Sequence, residues 1–216
     1  MTRIAIIGGH GKVALHLSRL LTEEGHSVTS FFRNPNHAAA VAETGATPSV
    51  LDVENAATAA IAEALKGHDA VVWSAGAGGG NPARTYAVDR DAAIRSMDAA
   101  AQVGVSRYVM VSYLGARKEH GISEDNAFFP YAEAKAAADD YLRGTDLAWT
   151  ILGPGSLTDK PGSGLIDVDP SPEGSRETSR SNTASVAVAV LDLPETAGRT
   201  VEFCDGSLPI AAALQP

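Results

Sequence analysis

"RIAIIGGHGKVALHLSRLL" (residues 3–21) decides how the rest of the chain is read. Residues 4–7 are a short apolar run that ends on glycine, the pattern of a buried strand. Val13, Leu17, Leu20 and Leu21 then recur at helical spacing. Strand, glycine turn and helix follow one another without a break. Two frames of a dinucleotide fingerprint fit the turn: Gly8-x-x-Gly11-x-x-Ala14 and Gly9-x-Gly11-x-x-Ala14. Glycines let the backbone turn tightly and let a pyrophosphate approach a helix N-terminus, whose free N–H groups bind anions. A small residue at Ala14 allows close packing of helix on strand. The competing reading is a tight turn with no ligand. A P-loop is excluded, because Ile6 stands five positions before Gly11 and neither Ser nor Thr follows Lys12.

Outward from this unit the pattern repeats. "HSVTSFF" (26–32) reads as a strand, 36–44 as a short helix, "ATPSVL" (46–51) as a weaker strand and 54–66 as a helix. "DAVVWSA" (69–75) is a strong strand followed by glycines. Residues 83–103 read as one helix, "SRYVMVS" (106–112) as a strand and 113–127 as a loop. "PYAEAKAAADDYL" (130–142) opens a helix that runs to about residue 143, and "LAWTIL" (147–152) is a sixth strand. Alternation of this kind implies a parallel sheet covered by helices on both faces, the Rossmann-type doubly wound α/β class. Residues 153–181 then carry five Gly, four Pro and six Ser, with a short strand near 165–168. A stretch like this inside a compact domain is expected to serve a site. Helix 183–192 and strand "TVEFC" (200–204) close the chain. One domain over 1–216 is expected, with 153–181 as a loop-rich, substrate-side segment of a small C-terminal portion.

The bulk numbers narrow the partners. The 216 residues are 44% hydrophobic and carry a formal net charge of −9. That balance argues against nucleic acid and against an anionic membrane, both of which need a basic surface. Cys204 is the single cysteine, so an intrachain disulfide and a Cys-based zinc site are excluded. The six histidines show no metal-binding spacing, and no metal is expected. No window reaches the ~18 apolar residues of a membrane span. The apolar run before the first glycines is too short for a signal peptide. A cytoplasmic protein with a small-molecule substrate is the expectation.

In an open parallel sheet the ligand lies beyond the carboxyl ends of the strands. Those ends are Gly8, Arg33, Asp52, residues 74–76, Ser112 and residues 153–155. An NAD-preferring site places an acid at the end of the second strand; here that position is Arg33, whose guanidinium suits a 2′-phosphate. NADP(H) is therefore expected over NAD(H), with Lys12 as a second cation. The alternative for Arg33 is a solvated strand-end charge. Asp52 suits the adenine amino group or, equally, a helix cap for 54–66.

The blocks "GGHGKVA" (8–14), "FFRNP" (31–35), "LDVEN" (51–55), "DAVVWSAGAGGG" (69–80), "SRYVMVSYLGA" (106–116), "YAEAKAAADDYLRGTDLAWTILGPGSLTD" (131–159) and "SRSNTASVAVAVLD" (179–192) come in the order of a known family. The chain resembles the atypical short-chain dehydrogenase/reductases of the NAD(P)-binding type. That group includes biliverdin/flavin reductase-like, NmrA-like and bacterial NAD-dependent epimerase/dehydratase-like proteins. The resemblance implies that Gly8, Gly11 and Ala14 line a pyrophosphate, with His10, Lys12 and Val13 in the same turn. It implies Arg33 and Asn34 at the 2′-phosphate, Asp52 and Val53 at adenine, and Ala75 and Gly76 by the ribose and diphosphate. Pro154 and Gly155 would border the nicotinamide. Two positions depart from many relatives: Gly153 stands where they have Arg, and Ser112-Tyr113 where they have two small hydroxyl residues.

The family's reductases use a Ser, a Tyr and a Lys. Ser112, Tyr131 and Lys135 are the matching residues. Tyr131 and Lys135 sit four apart and share a helix face. A lysine ammonium near a tyrosine lowers the phenol's pKa from ~10, and it can also hold the nicotinamide ribose; Ser112 would orient a carbonyl. Tyr131 reads alternatively as a packing anchor beside Pro130, and Tyr113 is a competing hydroxyl. Asp89 and the 139–140 pair read as solvated helix faces. The functions that follow are reduction of a small carbonyl, quinone or flavin-like acceptor, or a non-catalytic NADP(H)-binding regulator with a protein partner. A sugar-nucleotide epimerase or dehydratase ranks below both.

Overall fold

The computed structural model describes residues 1–78, 80–171, 173–174 and 176–215. Gly79, in the glycine-rich loop, and Pro172 and Ser175, in the loop-rich stretch, lie outside the described residues, as does Pro216. The strands are β1 (Arg3–Ile7), β2 (Ser27–Phe32), β3 (Thr47–Val50), β4 (Ala70–Trp73), β5 (Arg107–Val111), β6 (Ala148–Pro154), β7 (Ser156–Thr158), β8 (Leu165–Val168), β9 (Glu177–Ser179), β10 (Arg199–Asp205) and β11 (Leu208–Pro209). The helices are α1 (Lys12–Glu23), α2 (Ala38–Ala42), α3 (Thr58–Leu65), α4 (Pro82–Thr85), α5 (Ala93–Gln102), α6 (Phe129–Arg143), α7 (Arg180–Asp192) and α8 (Ile210–Ala213).

Nine strands form one sheet in the order β11-β8-β10-β6-β5-β4-β1-β2-β3. From β3 through β10 all neighbours are parallel, and β8 and β11 add antiparallel pairings. This is the Rossmann-type architecture. β1 shows why. Its side chains alternate between faces. Ile4 and Ile6 pack with Val13, Leu17 and Leu21 of α1 and with Val190 of α7. Ala5 and Ile7 pack with Ile61 and Leu65 of α3, Met97 of α5 and Leu142 of α6. Both faces are dry from Ile4 to Ile7, so the strand is apolar after Arg3, and each large buried aliphatic side chain contributes ~1.5–3 kcal/mol.

Several elements differ from the sequence reading, each for a local reason. Residues 83–103 are not one α-helix: a π-helical segment, Tyr86–Ala92, lies between α4 and α5. Its wider turn brings Val88 and Asp89 inward together. The helix expected from residue 54 begins at Thr58. Asp52 instead folds the chain into a side-chain turn, accepting from Glu54 N–H at 3.2 Å and from Asn55 Nδ2 at 2.8 Å. Helix α7 starts at Arg180, earlier than residue 183, because Ser179 caps it by accepting from Asn182 N–H at 3.0 Å. Inside 153–181, β7 and β9 pair as a separate two-stranded sheet.

β1 has β2 on one side and β4 on the other. The strand order reverses there, and the carboxyl ends of β1, β4, β5 and β6 open onto one edge, where a doubly wound sheet binds its ligand. Among the described residues no helix is long and apolar enough to cross a membrane.

Candidate functional site

The glycine turn is shaped by neighbours on both sides. Gly8 has φ +89°, and a Cβ there would lie 2.5 Å from the Ala75 backbone, where the chain leaves β4. A Cβ on Gly9 would lie 2.5 Å from Ser30 Cβ on β2. Both frames of the fingerprint therefore contain a sterically required glycine. Gly8 and Gly9 N–H both donate to Phe31 O, at 2.9 and 2.8 Å, which holds the turn over the sheet edge. Gly11 caps α1 without a side chain, and no acid stands in the first turn. The helix start is left with free N–H groups facing a cavity lined by Gly11, Lys12, Val13, Ala75 and Gly76. An uncapped helix N-terminus behind a glycine turn with no room for Cβ atoms fits a dinucleotide pyrophosphate.

A second cavity lies over the ends of β1, β2 and β3. It is lined by Gly8, His10, Arg33, Asn34, Asp52 and Val53, as well as by His37, Glu54 and Arg84. Arg33 does not stand free: its Nη1 donates to Glu54 Oε2 at 2.9 Å. Arg84 donates from Nε to both oxygens of the same carboxylate, at 3.1 and 3.0 Å, and from Nη1 to Ala77 O. His10 and His37 stack with ring centroids 3.5 Å apart, and burial, then His37, pushes the His10 pKa down. Glu54, Arg84 and His37 were not singled out in the sequence. Glu54 lies in the quoted block 51–55, but its partners are 21 and 30 residues away.

Lys135 is 1% exposed. Its Nζ donates to Val111 O at 2.8 Å and reaches Met110 Sδ at 3.4 Å, both on β5. Burial pushes its pKa down, opposed by Asp139 and Asp89. Two expectations are corrected here. Asp89 is 2% exposed, not solvated; it accepts from Ala77 N–H at 3.0 Å, and burial raises its pKa against the pull of Lys135. Asp139 is 0% exposed, so residues 139 and 140 do not form a solvated face. Asp140, half-buried beside it, pairs with Lys118 and Arg143. The helix turns successive residues 100° apart, so one acid of an adjacent pair faces in while the other faces the rim.

Ser112, 5% exposed, donates from Oγ to Asp139 Oδ2 at 2.5 Å. Tyr131 is also not as expected. Its pKa is raised by burial first and then by Asp89, Asp139 and Tyr113, with no lowering from Lys135. The shared helix face brings the two residues to one cavity, but the ammonium is drawn down onto the end of β5. Lys12 pairs with Asp159 at 2.6 Å, and Arg180 holds the other oxygen of Asp159 at 2.7 Å.

A third cavity, of 530 Å³, opens on the side of residues 154–157. Tyr113, Phe128 and Tyr131 form its aromatic wall, with centroids 5.2–5.5 Å apart. Pro154 and Gly155 line it, together with Arg176 and Arg180. Gly155 is forced: a Cβ would fall 2.1 Å from Arg176 O, where β7 meets β9. Gly153 is packed under Tyr113 O and Glu202, at 3.3 and 3.1 Å from a Cβ, so a larger residue would have to push these neighbours aside. Ser112 and Tyr131 line both this cavity and the one at the glycine turn.

Comparison with known proteins agrees with this geometry. Residues 8–194 match the family model described as NAD(P)H-binding. A Bacillus subtilis protein named as an uncharacterized sugar epimerase, YhfK, is 33% identical over 99% of both chains. A solved Bacillus halodurans protein, provisionally named an NAD-dependent epimerase/dehydratase, is 30% identical with a TM-score of 0.91, covering 99% of each chain. The solved oxidoreductase ylbE of Lactococcus lactis is 27% identical with a TM-score of 0.86, covering 98% of this chain and 94% of its own.

Proposed function

The chain belongs to the NAD(P)H-binding family, and on that premise we propose that it is an NADP(H)-dependent oxidoreductase of the atypical short-chain dehydrogenase/reductase type. Its acceptor would be a small carbonyl, a quinone or a flavin-like molecule. The observation that carries this reading is the shared wall of Ser112 and Tyr131 between the glycine-turn cavity and the 530 Å³ cavity. A cofactor on one side and an acceptor on the other would meet at those two hydroxyls.

Gly8, His10, Gly11, Lys12, Val13 and Ala14 would hold the pyrophosphate; Arg33 and Asn34 the 2′-phosphate; Asp52 and Val53 the adenine. Ala75 and Gly76 would pass the ribose, and Lys135 would hold the nicotinamide ribose hydroxyls. When bound, the reduced nicotinamide supplies a hydride. Ser112 orients the acceptor oxygen. Burial keeps the Tyr131 hydroxyl protonated at neutral pH, which suits donation to that oxygen and not abstraction from it. Pro154, Gly155 and the rest of 153–181 form the substrate side of a single domain.

The test is NADPH oxidation across a panel of aldehydes, quinones and flavins. Turnover is expected with at least one acceptor, lost in Lys135→Ala and reduced ~10²–10⁴-fold in Tyr131→Phe, the usual worth of a general acid. Turnover unchanged in both variants removes the Ser–Tyr–Lys mechanism. A regulatory reading is favoured by one observation: Lys135 and Ser112 spend their hydrogen bonds internally, on Val111 and Asp139. It predicts tight NADPH binding, no turnover, and nucleotide-dependent exchange in residues 113–127 or 156–180.

A further inference from the structure

Asp139 sits directly behind the hydroxyl that both cavities share. It projects from α6 one turn after Lys135, is 0% exposed, and accepts from Ser112 Oγ at 2.5 Å through Oδ2. Its other oxygen, Oδ1, is buried and has no hydrogen-bond partner among the described residues. Lys135 does not bond it; the ammonium is held by Val111 O. A buried carboxyl group with one orphaned oxygen and one short bond to a hydroxyl is costly as a full anion.

We infer that Asp139 is a positioning residue that sets which way the Ser112 hydrogen points, and so whether Ser112 offers the acceptor cavity a donor or a lone pair. With Asp139 ionised, Ser112 Oγ–H is spent on Oδ2, and only lone pairs face the cavity. With Asp139 protonated, Oδ2–H donates to Ser112 Oγ, and the serine hydrogen turns outward to an acceptor oxygen. A carbonyl or quinone that receives a hydride needs the second arrangement.

The groups that act on Asp139 define the switch. Lys135, Asp140 and Arg143 share its helix; Ser112 and Tyr113 follow β5. Tyr131 lies a little over two turns before it, and Asp89, from the π-helical segment, also acts on Lys135. Burial raises the Asp139 pKa, and Lys135, Ser112 and Arg143 offset part of that rise. The inference uses the reductase reading only for its kinetic arm.

The first measurement is the infrared carbonyl stretch of a protonated carboxyl in the free protein, followed over pH with aspartate labelled by ¹³C. The expected result is a buried-carboxyl band that persists above the ordinary aspartate range, is absent in Asp139→Asn, and moves in Ser112→Ala. No such band above that range, or a band that ignores Ser112→Ala, overturns the inference. If Asp139→Asn does not fold, the labelled wild type and Ser112→Ala give the same decision. The second measurement is the pH profile of NADPH oxidation with 9,10-phenanthrenequinone. Turnover should fall about tenfold as the band disappears, the worth of one hydrogen bond. Asp139→Asn, which has no proton to gain or lose in this range, should flatten that limb. An unchanged limb in Asp139→Asn overturns the inference. A titrating, Ser112-dependent band without quinone turnover supports the Asp139–Ser112 switch and counts against the reductase reading alone.

Discussion

Lys135 carries its charge into a place with almost no water, between two carboxyl groups that it does not bond. Asp89 and Asp139 are both raised by burial, and both are pulled back by this one ammonium. For a carboxyl whose folded pKa lies above its unfolded value, the folded state binds more protons in the window between the two. Stability is then full below the unfolded pKa and declines as pH rises through the folded one. Removing the lysine deepens that decline, because the largest influence opposing the desolvation of each acid is then lost. Lys135→Met is expected to lower the melting temperature more at pH 8 than near the ordinary carboxylate pKa of ~4, with a loss of ~3–5 kcal/mol at the higher pH, the usual cost of stripping a buried charge of its partner. Equal losses at both pH values in thermal melts would show that the two acids do not depend on Lys135. Part of this was legible in "YAEAKAAADD": the four-residue spacing places Tyr131, Lys135 and Asp139 along one helix face. What Lys135 bonds was not, because its partners are Val111 and Met110, 24 and 25 residues away on another element.

At the scale of the element, the glycine turn and the β6–β7 corner make opposite predictions from similar crowding. Gly8→Ala would adopt a left-handed φ and press a Cβ to 2.5 Å from backbone atoms at the end of β4. Strain of this kind costs ~1–3 kcal/mol and falls on the turn itself, so NADPH affinity should drop ~5–150-fold by calorimetry. Gly155→Ala meets Arg176 O at 2.1 Å, on the side of the 530 Å³ cavity. It should part β7 from β9 and reduce turnover while NADPH affinity falls much less than in Gly8→Ala; equal affinity losses in both variants would mean that the two regions do not act separately. The turn was readable because strand, glycines and helix are contiguous in the sequence. The corner was not: β7 and β9 are three residues each, lie among Gly, Pro and Ser, and pair only with each other. The π-helical segment was hidden for a different reason. Its residues are ordinary helix formers, and what distinguishes it is the buried Asp89 that reaches Ala77, a tertiary bond no period reveals.

Across the whole molecule, an anionic cofactor has to settle on a chain with a formal net charge of −9. The local cations that would receive it are already engaged. Lys12 and Arg180 share Asp159, and Arg33 and Arg84 share Glu54. Arg33 was visible from its place at the end of β2, and the architecture followed from the alternation of strands and helices. The pairing was invisible, because Glu54 meets its arginines only after β2, β3 and the glycine-rich loop converge at the sheet edge. Glu54 thus occupies the charge that a 2′-phosphate would otherwise meet. Two substitutions separate the contributions. Arg33→Ala should weaken NADPH by ~5–30-fold while leaving NADH nearly unchanged, because only NADPH carries the phosphate that a guanidinium binds through charge-assisted hydrogen bonds of ~1–2 kcal/mol. Glu54→Gln should act the other way. It keeps the shape of the side chain, removes the competing charge, and leaves Arg33 and Arg84 facing the same phosphate, so NADPH affinity rises ~3–10-fold and the NADPH/NADH ratio widens. The gain should shrink with added salt, since Arg33 is exposed and its field is screened within ~10 Å at 0.1 M ionic strength. If Glu54→Gln instead weakens both nucleotides equally in titrations at low salt, Glu54 acts by holding the two arginines in place, and the coenzyme preference has to be sought elsewhere in the adenine-end cavity.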